Sequence, residues 1–127
     1  MSQIRLLIVD DESSIRESLA EFLRDFNIAV DSASDAEAAL DIMAKKQFDV
    51  LLADLRLPGM AGDLMITRAH RLQPQMRFLI HTGSIDYRLS EELIALGLTP
   101  EDIILKPLSD LTVLLNKIQS KFKQSSC

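Results

Sequence analysis

The feature that most restricts how this chain can fold is an alternation, repeated five times, between short apolar runs and longer segments with helical spacing. Ile4–Val9, interrupted only by Arg5, is an apolar run of strand length, the pattern of a strand buried on both faces. Ile15, Leu19, Phe22, Leu23 and Phe26 then recur at helical intervals, and Ile28–Val30 reads as a short second strand. Ser34-Asp35-Ala36-Glu37 has the form of a capping box, with Leu40 and Met43 supplying the apolar stripe of the helix it opens. Phe48–Ala53 is a third strand, and Pro58-Gly59 within Leu57–Gly62 signals a turn. Met65, Ala69 and Leu72 mark a third helix and Phe78–Ile80 a fourth strand. Leu89, Leu93 and Leu96 mark a fourth helix, closed by Gly97, and Ile103–Leu105 a fifth strand. The last helix follows Ser109, with Leu111, Leu114, Leu115, Ile118 and Phe122 on one side and a solvated face of Lys117, Lys121 and Lys123 on the other.

Strict βα alternation implies an α/β fold in which a parallel sheet is covered by helices on both faces. The 127 residues suit a single domain, with a core over about 4–122 and no second domain after the fifth helix. A hydrophobic fraction of 47% is enough to build a core without disulfides, and the one cysteine, Cys127, has no partner to pair with. No apolar run reaches the roughly 18–20 residues that span a bilayer, and the N-terminus runs into Asp10, Asp11 and Glu12 too early for a signal peptide. A cytoplasmic protein is the expectation. A net charge of −5 disfavours direct binding to nucleic acid and favours cations or basic partners.

Open α/β sheets bind ligands beyond the carboxyl ends of their strands, so the residues at those ends matter most. Strand one ends in Asp10-Asp11, followed by Glu12; strand three ends in Asp54, strand four in His81-Thr82, and strand five in Lys106-Pro107. Clustered carboxylates resist ionisation unless a cation compensates them. A hard ion such as Mg²⁺ takes oxygen ligands and keeps several waters, a demand that Asp10, Asp11, Asp54 and a nearby backbone carbonyl can meet in part. Lys106 adds a mobile positive charge and Thr82 a hydroxyl donor. Metal, carboxylate nucleophile, hydroxyl and ammonium are together the parts for phosphoryl transfer to an aspartate. His81 falls beside this set, whereas His70 falls on a helix face with no metal-ligand spacing.

Leu7-Ile8-Val9-Asp10-Asp11, Asp54-Leu55-Arg56-Leu57-Pro58-Gly59-Met60-Ala61-Gly62, His81-Thr82-Gly83 and Leu105-Lys106-Pro107 stand in one order, each at a strand end. In these motifs the chain resembles the response-regulator receiver domains of two-component signalling, the single-domain chemotaxis regulators among them, over nearly its whole length. The resemblance implies a doubly wound, flavodoxin-like sheet of five parallel strands in the order 2-1-3-4-5, with five helices. It implies that Asp54 accepts a phosphoryl group from a histidine kinase or a histidine phosphotransfer protein. Asp10, Asp11, Asp54 and the backbone carbonyl of Arg56 would hold Mg²⁺, Thr82 would contact the phosphoryl group, and Lys106 would bridge phosphoryl and carboxylate oxygens. It further implies a cis Lys106-Pro107 bond, a switch rather than an enzyme acting on other substrates, and a partner-docking surface on helix four, strand five and helix five.

Three positions depart from the family pattern. Ile103 stands where Phe or Tyr usually precedes the lysine by three residues, Ala61 stands where Asp or Asn is usual, and Gly97–Asp102 is slightly long. Tyr87 falls at the start of the fourth helix and is not expected to replace the missing aromatic. Arg56 and Ser84 lie two residues beyond Asp54 and Thr82, where Arg56 could touch the phosphoryl group or hinder an attacking water. Three other functions compete. An aspartate-nucleophile phosphatase would want Asp-x-Asp where this chain has Asp54-Leu55-Arg56, and a flavin binder would want a hydroxyl- and glycine-rich loop where it has three carboxylates. An unphosphorylated interaction module would not need the complete acidic set.

Overall fold

The computed structural model describes residues 3–57 and 59–125, so Pro58 of the expected turn and Cys127 lie outside the described residues. Five strands alternate with five helices: β1 Arg5–Val9, α1 Ser13–Arg24, β2 Ala29–Ala33, α2 Ala36–Lys45, β3 Val50–Asp54, α3 Gly62–Leu72, β4 Arg77–Thr82, α4 Glu91–Ala95, β5 Ile103–Leu105 and α5 Leu111–Ser125. All strand pairs are parallel, and the sheet order is β2-β1-β3-β4-β5, as the resemblance implies. Val9 pairs with Ala53 and Asp54 with His81, so the carboxyl ends of β1, β3 and β4 reach one edge together.

Side chains alternate across a strand, so the central strands feed two cores. Leu7, Val9, Leu51, Ala53, Phe78 and Ile80 face α2, α3 and α4, where they meet Ala39, Met65, Ile66, Ala69 and Leu93. Leu6, Ile8, Val50, Leu52, Leu79 and Ile104 face α1 and α5, where they meet Leu19, Leu23, Leu114 and Ile118. The apolar run of β1 is thereby explained, because both faces of the strand are covered.

Several local expectations are corrected. Asp35, not Ser34, caps α2, its carboxylate accepting from the Ala38 N–H at 2.8 Å. The fourth helix has only five residues; Leu89 precedes it, Leu96 is its C-cap, and Tyr87 lies in the loop after β4. Gly97 does close it, at φ 101°, while the Leu98 N–H reaches back to the Leu93 carbonyl. The long Gly97–Asp102 stretch contains a short 3-10 turn, Pro100–Asp102, in which the buried Asp102 carboxylate accepts from the Thr99 N–H at 2.9 Å. Lys121 pairs with Asp102 and Lys117 donates to the Glu101 carbonyl, so the basic face of α5 is tied to this turn rather than merely solvated. Phe26 and Leu72 reach the ends of their helical stripes and stay exposed, the Phe26 ring tilted against that of Phe22 with centroids 5.0 Å apart.

Candidate functional site

Asp10 directly follows β1 and Asp54 ends β3, and the sheet edge buries both, leaving them 2% and 6% exposed. Buried carboxylate oxygens need hydrogen-bond donors. Asp10 Oδ1 accepts from the Glu12 N–H at 2.9 Å, and Asp54 Oδ1 from the Arg56 N–H at 3.0 Å. The second oxygens share one cation: Lys106 Nζ donates to Asp10 Oδ2 at 2.9 Å and to Asp54 Oδ2 at 3.0 Å. Because Lys106 follows β5, its side chain crosses β4 to reach β3. Its backbone is fixed there by an N–H bond to the Thr82 carbonyl at 2.8 Å, and the Lys106-Pro107 peptide bond is cis. Burial alone would lower the Lys106 pKa, but hydrogen bonds and charge from Asp10 and Asp54 outweigh it and raise the value, so the ammonium stays protonated.

Thr82 ends β4 almost fully buried, and its hydroxyl oxygen accepts from the Ser84 N–H at 3.1 Å. His81, one residue earlier, lies beside Asp54 in the register and is 5% exposed. Burial first, then the charge of Lys106, depress its pKa, with Asp10 and Asp54 opposing, so the imidazole is held neutral. Its Nε2 has no hydrogen-bond partner.

Carboxylate oxygens of Asp10, Asp11 and Glu12 lie within 4.8 Å of one another, the first residue buried and the others exposed. This all-oxygen set suits a hard cation that keeps part of its water shell. Asp54 joins Asp10 through Lys106, and Arg56 approaches Asp54 through its amide. Glu12, read from sequence only as a neighbouring charge, thus stands with Asp10 and Asp11. Arg16 is a further residue that the sequence gave no sign of: its guanidinium Nη1 donates to the Asp10 carbonyl at 2.6 Å and ties α1 to the site. Gly62, which closes the Asp54–Gly62 motif of the sequence, has a structural reason for being glycine, because a Cβ there would stand 2.7 Å from the Asp54 carbonyl oxygen. His70 lies apart, in the last turn of α3, its ring near Phe78.

Beside Lys106 a groove of about 610 Å³ opens between α1 and the start of α5, lined among others by Ile15, Leu19, His81, Leu108 and Leu111. Among the described residues no helix is long and apolar enough to cross a membrane.

Residues 6–119 match the response regulator receiver domain family. The chain is 33% identical over 119 residues to the transcriptional regulatory protein FixJ of Rhizobium meliloti, covering 94% of this chain and 57% of that one. It is 37% identical over 81 residues to a response regulator receiver protein of Anaeromyxobacter, covering 64% and 34%. The chain thus spans about half, or less, of the curated relatives it matches. Among solved structures, a CheY-like receiver domain protein from Methanospirillum hungatei superposes with a TM-score of 0.85 at 30% identity, covering 98% of both chains. The chemotaxis regulator CheY4 of Vibrio cholerae gives 0.80 at 28%, covering 94% of this chain and 99% of that one. The match over nearly the whole chain, on a sheet of the same order and with the motifs at its edge, establishes that the chain belongs to the response regulator receiver domains of two-component signalling.

Proposed function

We propose that the chain is a working phosphoacceptor, with Asp54 as the nucleophile. The observation that carries this reading is the Lys106 ammonium, held between the Asp10 and Asp54 carboxylates at the sheet edge where β4 ends in Thr82. A carboxylate oxygen of Asp54 attacks the phosphorus of a phosphohistidine; the P–O bond forms, the P–N bond breaks, and the imidazole nitrogen keeps the electron pair. Arg56 and Lys106 orient the attacking carboxylate through the two bonds they already make to it. Lys106 then bridges Asp54 and a phosphoryl oxygen, and the Thr82 hydroxyl donates a hydrogen bond to another. Asp10, Asp11, Asp54 and the Arg56 carbonyl would hold Mg²⁺, with Glu12 close by. When bound, Mg²⁺ supplies positive charge for the transferring phosphoryl oxygens.

The donor is a histidine kinase or a histidine phosphotransfer protein, which must present its imidazole at this edge; the apolar groove beside Lys106 offers it a seat. Ile94, Leu105 and Val113 are exposed on α4, β5 and α5 and supply the apolar part of an output surface there. Because FixJ and DltR are transcriptional regulatory proteins, DNA binding would reside in an output domain and not in this acidic unit.

Intact-mass measurement after incubation with Mg²⁺ and acetyl phosphate tests the reading. The expected result is a gain of one phosphoryl group, absent from Asp54→Asn and blocked by a chelator. No gain, together with no spectral response to beryllofluoride, would replace it with an unphosphorylated interaction module, the reading that Ile103 in place of the usual aromatic favours.

A further inference from the structure

The loop between β4 and α4 is wired to the acceptor strand by a continuous set of hydrogen bonds. Thr82 Oγ1 accepts from the Ser84 N–H at 3.1 Å, and the Ser84 carbonyl accepts from the Tyr87 N–H at 3.4 Å. Tyr87 then crosses to α3, its hydroxyl donating to Asp63 Oδ1 at 3.3 Å. Asp63 adjoins Gly62, whose N–H bonds the Leu55 carbonyl at 3.2 Å and whose missing Cβ lets α3 rest on the Asp54 backbone. The path runs from Thr82 through the loop to α3 and back to the residue next to Asp54. The Tyr87 ring is half-buried against the core that also receives Leu89, Leu96 and Ile103, whereas Ile85 in the same loop is 77% exposed. Tyr87 and Leu89 therefore anchor this loop on the core, and Tyr87 alone of the two also makes a side-chain hydrogen bond to α3.

We propose that the Tyr87–Asp63 hydrogen bond is a latch that holds the β4–α4 loop on α3 in the resting protein and opens when Asp54 is phosphorylated. The opening half rests on the phosphoacceptor reading; the holding half does not. A Thr82 hydroxyl that turns to donate to a phosphoryl oxygen no longer presents the same acceptor to Ser84, and the Ser84–Tyr87 turn shifts with it. Burial and the neighbouring Asp63 carboxylate keep the Tyr87 phenol protonated, so it remains a donor in the resting state. A contact present in only one of two states biases the equilibrium between them by its own worth. Removing it must favour the phosphorylated arrangement.

The chain has one tyrosine and no tryptophan, so its intrinsic fluorescence reports Tyr87 alone. A phenol hydrogen-bonded to a carboxylate emits weakly. Asp63→Asn is expected to brighten the resting protein, and Mg²⁺ with beryllofluoride to brighten the wild type but not Asp63→Asn. Tyr87→Phe, which keeps the packed ring and whose fold is checked by circular dichroism, is expected to bind beryllofluoride roughly three- to tenfold more tightly, the effect of losing one such bond. That affinity is read from the Gly83 amide resonance. Equal emission from wild type and Asp63→Asn overturns the latch whatever the analogue does. A Gly83 shift with unchanged wild-type emission, or an unchanged Tyr87→Phe affinity, overturns its opening and leaves the phosphoacceptor reading standing. A Gly83 resonance unmoved by beryllofluoride removes that reading and the opening with it, while the resting emission still decides whether the latch holds.

Discussion

Tyr87 and Lys106 carry opposite kinds of protonation control a few residues from the same edge. Lys106 keeps its charge because two carboxylates face it, and Tyr87 keeps its proton because burial and Asp63 both penalise the phenolate, pushing its pKa up to about 12. The raised value has a consequence for stability. Between pH 10 and about 12 the unfolded chain loses the phenolic proton while the folded chain keeps it. The unfolded state then binds fewer protons, so stability present below pH 10 falls as pH rises through about 12. A spectrophotometric titration of the single tyrosine should give a midpoint near 12 in the native protein and near 10 in urea. Equal midpoints would mean that the phenol is not held as described.

At the scale of elements, the site depends on how α3 meets β3. Ala61 occupies the N-cap of α3 and provides no side-chain cap, so the alanine in place of the usual Asp or Asn leaves the start of the helix to be placed against β3 by backbone contact. Gly62 makes that contact, and a methyl there would meet the Asp54 carbonyl oxygen and the Leu55 Cα inside 3 Å, both backbone atoms that cannot step aside. Gly62→Ala should cost about 1–3 kcal/mol in chemical denaturation, the usual range for an overpacked position. It should also slow phosphoryl uptake, because the displaced backbone carries Asp54. An unchanged midpoint would show that α3 yields without cost.

For the whole molecule, stability resides in the central strands. Leu51 is completely buried between α2 and α3, while Leu72 at the end of α3 is 46% exposed. Leu51→Ala should lose about 2–5 kcal/mol, as a cavity opens that its neighbours fill only in part. Leu72→Ala should change stability by no more than about 0.5 kcal/mol. Urea unfolding of the two variants separates these outcomes, and comparable losses would contradict the two-core architecture. The parallel sheet also explains why one edge can collect Asp10, Asp54, Thr82 and Lys106 from positions 96 residues apart in the chain. Every strand points the same way, so every strand delivers its carboxyl end there.

Periodicity and strand-end chemistry were legible without coordinates because they depend on near neighbours in the chain. Apolar runs set the strands, stripes at helical spacing set the helices, and strict alternation made the sheet parallel. The polar residues that follow Val9, Ala53, Ile80 and Leu105 were bound to share an edge once that was so. Long-range contacts were decided only by the tertiary structure. The helical stripe of Leu89, Leu93 and Leu96 could not say that α4 would be five residues long, because Leu89 packs on the core from the preceding loop and the helix starts only after the Ser90 cap. Nor could such stripes say that Lys121 would find the buried Asp102, that Arg16 would reach the Asp10 carbonyl, or that Tyr87 would cross to Asp63. Each of these joins a side chain to an atom whose position is set by packing of the folded chain, and spacing along the sequence does not encode such a distance.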